Sequence, residues 1–141
     1  MVLEGKAYWA HITKPNEKYT PVYSINLLVD DAIAKEYGDR GFSVKHLEEG
    51  PTLVIKRKVT GNYGPNTPPL LVDKNKKPFR DAIGNGSTVR VQCAEWQKDW
   101  KGTMFYGLDL QAVQVIDLIP YSSADGEELG ISELENELEE L

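Results

Sequence analysis

Apolar and polar residues alternate in short runs along most of this chain, and Gly, Pro and Asn separate the runs. That is the pattern of β-strands joined by turns. The first strand is expected from Leu3 to Ile12 and the second from Val22 to Val29, where Tyr23, Ile25, Leu27 and Val29 share one face. Thr13 to Pro21 reads as the loop between them. Asp30 is a good N-cap for a short helix through Ile33 and Tyr37, which Gly38 or Gly41 would end. A third strand, Leu53 to Thr60, places Leu53, Ile55 and Val59 inward and Lys56 and Lys58 outward. Arg57 falls in phase with the apolar positions, so it must lie near an edge or reach solvent along its aliphatic stem.

Gly61 to Pro69 carries three prolines and two glycines and is not expected to be a strand interior. A short strand over Leu70 to Asp73 leads into the exposed basic turn Lys74-Asn75-Lys76-Lys77-Pro78, and Ile83 to Ser87 is a second strong turn. Thr88 to Trp96 alternates cleanly, with Val89, Val91 and Cys93 facing inward and Arg90, Gln92, Ala94 and Trp96 outward. A hairpin loop around Lys98-Asp99-Trp100-Lys101-Gly102 returns the chain into a long strand from Thr103 to Leu118. Leu108 and Leu110 are out of phase with Val113 and Val115 on that strand, which predicts a β-bulge near Gln111 and Ala112. The expected fold is all-β with one short helix, a Greek-key barrel of five or six strands. An immunoglobulin-like sandwich is the alternative, and the short helix and bent last strand fit it less well.

Composition narrows the function. The 141 residues suffice for one domain with a real core. A single cysteine, Cys93, excludes an intrachain disulfide and reads as a small core residue. No stretch is long and apolar enough to cross a bilayer and no signal segment opens the chain, so the expected location is the cytoplasm, the host's if the protein is viral. The net charge of −6 is unevenly spread. Ser122 to Leu141 holds eight acids and no Lys or Arg, leaving 14 acids and 16 bases, a net of +2, for the remainder. Residues 1–121 are therefore read as a mildly basic domain and residues 122–141 as an acidic tail.

Catalysis finds no constellation. His11 and His46 lie apart, the first in a strand and the second in a loop, and neither sits in a nucleophile motif. One cysteine and two distant histidines make no zinc site, and no cofactor is implied. Basic side chains interleaved with aromatics point instead to a single-stranded nucleic acid, whose bases stack on rings while Lys and Arg neutralise phosphates. Trp96, Lys98, Trp100 and Lys101 crowd the proposed hairpin, with Phe105 and Tyr106 on the returning strand. Lys56, Lys58, Tyr63 and Arg90 join the candidate surface, as do Lys74, Lys76 and Lys77, which read equally well as a solvated turn. Trp96 and Trp100 are expected to meet a ligand, whereas Tyr8, Trp9 and Tyr23 are expected to pack in the core or at a barrel end.

The acidic tail has a pattern of its own. Ile131, Leu134, Leu138 and Leu141 recur at three- and four-residue spacing, and Ser132 with Glu135 forms a capping box. These residues describe a latent amphipathic helix, marginal alone because it is short and because Glu139 and Glu140 oppose its dipole. Folding on a partner is one reading and a solubility tail with incidental leucines the other.

Several segments, in order, resemble the OB-fold single-stranded-DNA-binding proteins of lytic podophages. They are Ala10-His11-Ile12-Thr13-Lys14-Pro15, Val22-Tyr23-Ser24-Ile25-Asn26-Leu27, Leu70-Leu71-Val72-Asp73-Lys74-Asn75-Lys76-Lys77, the Gly84-Asn85-Gly86-Ser87 turn before a Val-Arg-Val strand, and Leu108-Asp109-Leu110-Gln111-Ala112-Val113. The resemblance implies an OB barrel that coats single-stranded DNA in replication and recombination, can promote annealing and often forms a homodimer. It further implies a tail that contacts the replicative DNA polymerase and helicase-primase and competes with DNA for a basic cleft. The chain departs from the common OB order in placing its helix before the third strand. A protein-interaction adaptor or DNA mimic acting through the acidic helix, and an OB-type RNA or oligosaccharide binder, are the competing readings.

Overall fold

The alternation read from the sequence builds the wall of a closed barrel in the computed structural model, which describes residues 1–18 and 20–121. β1 (Val2–Asn16) pairs antiparallel with β2 (Val22–Leu28), and β2 with β4 (Gly50–Lys58). On its other edge β1 pairs antiparallel with β8 (Ser87–Trp100), and β8 with β9 (Thr103–Asp117). A parallel bridge between Lys56 of β4 and Asp109 of β9 closes the ring. The order β1–β2–β4–β9–β8–β1 is that of an OB fold, and one closed sheet excludes the two facing sheets of a sandwich.

Three additions decorate the barrel. The helix α1 (Asp31–Asp39) and the edge strand β3 (Val44–Leu47) precede β4, so the helix lies before the third barrel strand as the sequence indicated. Asp30 Oδ1 accepts the Ile33 N–H at 2.8 Å, and the helix gives way at Arg40 to Gly41 in the left-handed region. A ribbon of two very short strands, β5 (Thr60–Gly61) and β6 (Gly64–Pro65), occupies the proline-rich segment. The strand β7 (Leu70–Val72) pairs parallel to the far end of β9. Among the described residues no helix is long and apolar enough to cross a membrane.

Ile25, Leu27, Leu53, Ile55, Val89, Val91, Cys93, Leu110 and Val113 are wholly buried and form the core, each inward residue of the aliphatic set contributing roughly 1.5–3 kcal/mol. Tyr8 and Tyr23 are buried, as expected. The predicted bulge is present: Gln92 pairs with Ala112 and Cys93 with Leu110, so Gln111 is the extra residue.

Four expectations are corrected. β1 runs on to Asn16, shortening the loop assigned to Thr13–Pro21, and bulges between Tyr8 and His11. Trp9, expected to pack in the core or at a barrel end, takes φ 51° at this bulge and is 54% exposed. His46 belongs to β3 and not to a loop, because Val44–Leu47 pairs with Gly50–Leu53 across a tight Glu48-Glu49 turn. Lys98 to Trp100, expected in the hairpin loop, is strand. β8 continues to Trp100, and the turn contracts to Lys101-Gly102, both at positive φ (52° and 87°) as a primed hairpin turn requires.

Candidate nucleic-acid interface

Beyond the barrel rim, the pairs from Trp96↔Gly107 to Trp100↔Thr103 continue as a two-stranded ribbon. Directly opposed residues share a face. One face therefore carries Trp96, Lys98 and Trp100 with Phe105, and the other carries Gln97 and Asp99 with Met104 and Tyr106. Both indoles and Phe105 are about half exposed. The Lys98 and Lys101 ammonium groups lie 5.8 and 5.4 Å from the Trp100 ring, within cation–π range.

At the base of the ribbon, where β4 and β9 diverge from their single bridge, a cleft of about 650 Å³ opens. Val54, Lys56 and Lys58 enter it from the outer face of β4, and Phe105, Gly107 and Asp109 from that of β9. Each trio follows the two-residue period of a strand. Trp96 lies across Gly107 so closely that a β-carbon there would overlap its indole. Asn66, tied to the Lys58 carbonyl at 2.8 Å, and Thr20 complete the rim.

Electrostatics leave the cleft net positive. Arg57 donates to both carboxylate oxygens of Asp109 (3.0 and 2.7 Å) and to the Thr67 carbonyl (2.9 Å). That bond raises the guanidinium pKa and settles how an arginine sits on an apolar face: it reaches out at the barrel seam and cancels the one acid in the cleft. Lys56 and Lys58 form no ion pair with the described residues. Arg40 clamps the ribbon base from the helix side, gripping Glu95 in a two-pronged bond (3.2 and 2.7 Å) and lying over the Tyr37 and Phe42 rings. The same bond holds the Glu95 carboxyl below its usual range. Tyr106 packs on Phe42 at 5.5 Å, so one side of its ring is structural.

Of the residues selected from sequence, Lys56, Lys58, Trp96 and Tyr106 meet in this cleft, with Lys98, Trp100 and Lys101 on the adjoining ribbon. Tyr63 stands fully exposed at the turn of the β5–β6 ribbon, whose Asn66 lines the rim. Arg90 is elsewhere, paired with Glu4 at 3.0 Å on the β1–β8 wall. Lys74, Lys76 and Lys77 are also elsewhere, beside β7 and the far end of β9. Ile131, Leu134, Leu138, Glu139, Glu140 and Leu141 lie outside the described residues. Gly107, Asp109 and Asn66 were not selected from the sequence, although the phase of Leu108 and Leu110 already places Gly107 and Asp109 on the outer face.

The solved structures that this chain resembles include proteins of bacteriophages. The chain superposes on gp2.5, a single-stranded DNA binding protein encoded by bacteriophage T7, with a TM-score of 0.59 over 92% of this chain and 93% of that one, at 18% identity. It superposes on the single-stranded DNA-binding protein of bacteriophage Enc34, solved in complex with single-stranded DNA, with a TM-score of 0.60 over 85% and 88%, at 15% identity. The chain has the fold of these phage proteins. No protein-family model matches the sequence, and no curated protein does. At such identities the shared property is the OB barrel with its decorations, and the correspondence runs through nearly the whole of both chains.

Proposed function

We propose that this protein is a non-enzymatic binder of single-stranded DNA without sequence preference. The strand would run through the β4–β9 cleft and along the aromatic face of the β8–β9 ribbon. The observation that carries the reading is the meeting of Trp96, laid on Gly107, with the uncompensated Lys56 and Lys58 in one open cleft. Those are the parts a single strand needs, namely a ring for a base and ammonium groups for phosphates, on the strand-and-hairpin face that OB folds use for oligonucleotides. The phage proteins of the same fold support it, since both are single-stranded-DNA-binding proteins and one is seen with its strand.

Binding should quench tryptophan emission on titration with oligo-dT, and log affinity should fall linearly with log salt at a slope of about −0.7 per phosphate neutralised. Tight preference for duplex, or emission unmoved by oligo-dT, would sink the reading. Action in phage-type replication and recombination, including strand annealing, extends the same proposal.

Residues 122–141 would act as the acidic competitor for the cleft and as the recruiter of replication proteins, a polymerase and a helicase-primase. This part rests on the eight acids and the leucine spacing of the tail. The adaptor reading differs in one outcome: it requires partner binding to survive when the cleft lysines are reversed and to vanish when residues 122–141 are removed.

A further inference from the structure

Trp9 stands where the alternation of β1 would turn its ring into the barrel. Ala7 pairs with Leu27 on the inner face and Tyr8 with Asn26 on the outer one, so the next position in phase, opposite Ile25, points into the core. β1 places two residues there instead of one. Ala10 takes the inward place and packs against the core, while Trp9 adopts φ 51° and leaves its ring 54% exposed. Phase resumes at His11, which pairs with Ser24 on the outer face, and Ile12 is buried in the core again. Bulges that re-aim a side chain are common beside binding sites, and a bulky residue at positive φ carries strain that a merely solvated wall residue does not need. Asn85 holds the bulge in place, its Oδ1 accepting the Trp9 N–H at 2.8 Å.

The sheet register relates this residue to the cleft. Across β1, β2 and β4 the outer face holds two rows, Tyr8, Asn26 and Val54 in one and His11, Ser24 and Lys56 in the other, and Trp9 falls between them. Val54 and Lys56 line the cleft, and Lys56 pairs onward with Asp109 of β9. The cleft already reaches onto β2, where Val22, the partner of Lys58, lines it. Trp9 is thus one strand beyond the cleft and two strands from Lys56, about 10 Å at ordinary strand spacing. The interval is polar: Ser24 and His11 are half-buried, and the buried Asn26 amide donates to Thr52 Oγ1 at 3.2 Å. Neither row holds an acid on β1, β2 or β4, so these positions set no repelling charge against a phosphate.

We infer that the strand held in the cleft continues across β4 and β2 and stacks a base on Trp9. Trp96 and Trp9 would then mark the two ends of one track, with Lys56 between them for the phosphates. The inference rests on the reading of the cleft as a single-strand site and adds to it a direction and a far boundary. Three strand intervals from β9 to β1 give about 15 Å, well within the reach of the roughly 4–16 nucleotides that one OB fold holds. A lone exposed indole needs no ligand when it sits in phase on a relaxed backbone, but this one is turned outward by an extra residue at the cost of an unfavourable φ. An unpaired base offers that ring a face to stack on, which a duplex or a simple anion does not.

Two sets of measurements on the full-length chain test it, with binding followed by the anisotropy of a labelled oligo-dT of about 12 nucleotides. Trp96→Phe with Trp100→Phe leaves Trp9 as the sole tryptophan of three, and its emission should be quenched as the oligonucleotide saturates. Joint reversal of Lys56 and Lys58 to Glu in that background should abolish the quenching at the same oligonucleotide concentration, because both ends belong to one track. In the otherwise unsubstituted chain, Trp9→Asn, which removes the ring and suits a positive φ, should weaken binding roughly 5- to 150-fold. Trp9→Phe, which keeps a ring, should retain most of the affinity. Either set decides alone should a variant of the other fold poorly or bind too weakly to saturate. Trp9 emission unmoved at saturation, or Trp9→Asn binding as tightly as Trp9→Phe, overturns the far contact and leaves the cleft reading standing. Quenching that survives the lysine reversal overturns the single track. No rise in anisotropy with the unsubstituted chain overturns the cleft reading as well.

Discussion

At the scale of single residues, Gly107 does more for the site than a missing side chain would indicate. It is the surface on which the Trp96 indole rests, on the face of the ribbon opposite the one from which Tyr106 packs on Phe42. Gly107→Val should therefore lift the ring off its seat with little change in melting temperature. Oligo-dT affinity should fall by the value of one stacked base, about 1–3 kcal/mol or roughly 5- to 150-fold. Unchanged affinity would mean that Trp96 is not the platform. Cys93 illustrates the opposite case, a reactive group made inert by its surroundings. Burial pushes its thiol up to about 11. Alkylation of the native protein at pH 8 should be far slower than in denaturant, because little thiolate exists below that value. The sign for stability follows, since the unfolded chain loses this proton first. Stability should decline as pH rises from the ordinary thiol range near 9 towards 11, as urea midpoints at successive pH values would record.

At the scale of elements, the seam between β4 and β9 depends on Arg57 and Asp109, which join strands whose only backbone pairing is at Lys56↔Asp109. Arg57→Ala should weaken DNA binding by more than the loss of a remote positive charge, because it bares a carboxylate inside the cleft. A bare unit charge about 4 Å from a phosphate costs about 1 kcal/mol in water, roughly fivefold in affinity. Asp109→Asn added to the first change should restore most of the affinity while leaving the seam weakened. A double variant that binds no better than the single one would show that Arg57 itself contacts the strand. The elements also show what was legible beforehand. β2, the first half of β8 and the bulge at Gln111 were readable because one face of each is buried, so burial imprints a period of two on the sequence. β3 was not readable, since Val44 and Leu47 merely bracket two polar residues at a sheet edge. The outer end of β8 was missed for a related reason: Gln97 to Trp100 has solvent on both faces and no alternation to display. The residue types of the site were legible, but their grouping was not. Lys56, Lys58 and Trp96 converge only through the β4–β9 closure, and Lys74 is carried away by the parallel pairing of β7.

At the scale of the whole molecule, a body of net +2 joined to a tail of eight acids sets how the proposed DNA binding should respond to salt. Under the proposed function, bulk attraction is too weak to concentrate DNA on the protein, so affinity would come from the local grouping of lysines and rings in the cleft. Long-range repulsion by the eight acids of the tail would act against it. Removing residues 122–141 shifts the net charge from −6 to +2 and should tighten oligo-dT binding. The size of the gain is a function of screening. Fields reach about 30 Å at 0.01 M salt but about 8 Å at 0.15 M, so a tail acting through its field alone should lose most of its effect over that range. A tail that enters the cleft as a local competitor should keep a clear effect at the higher salt, because its carboxylates would sit within a few ångströms of Lys56 and Lys58. Paired titrations of the full and shortened chains at the two salt concentrations separate these cases. Weaker binding on deletion, at either concentration, would rule out competition and point to the tail as a contributor to the DNA complex itself.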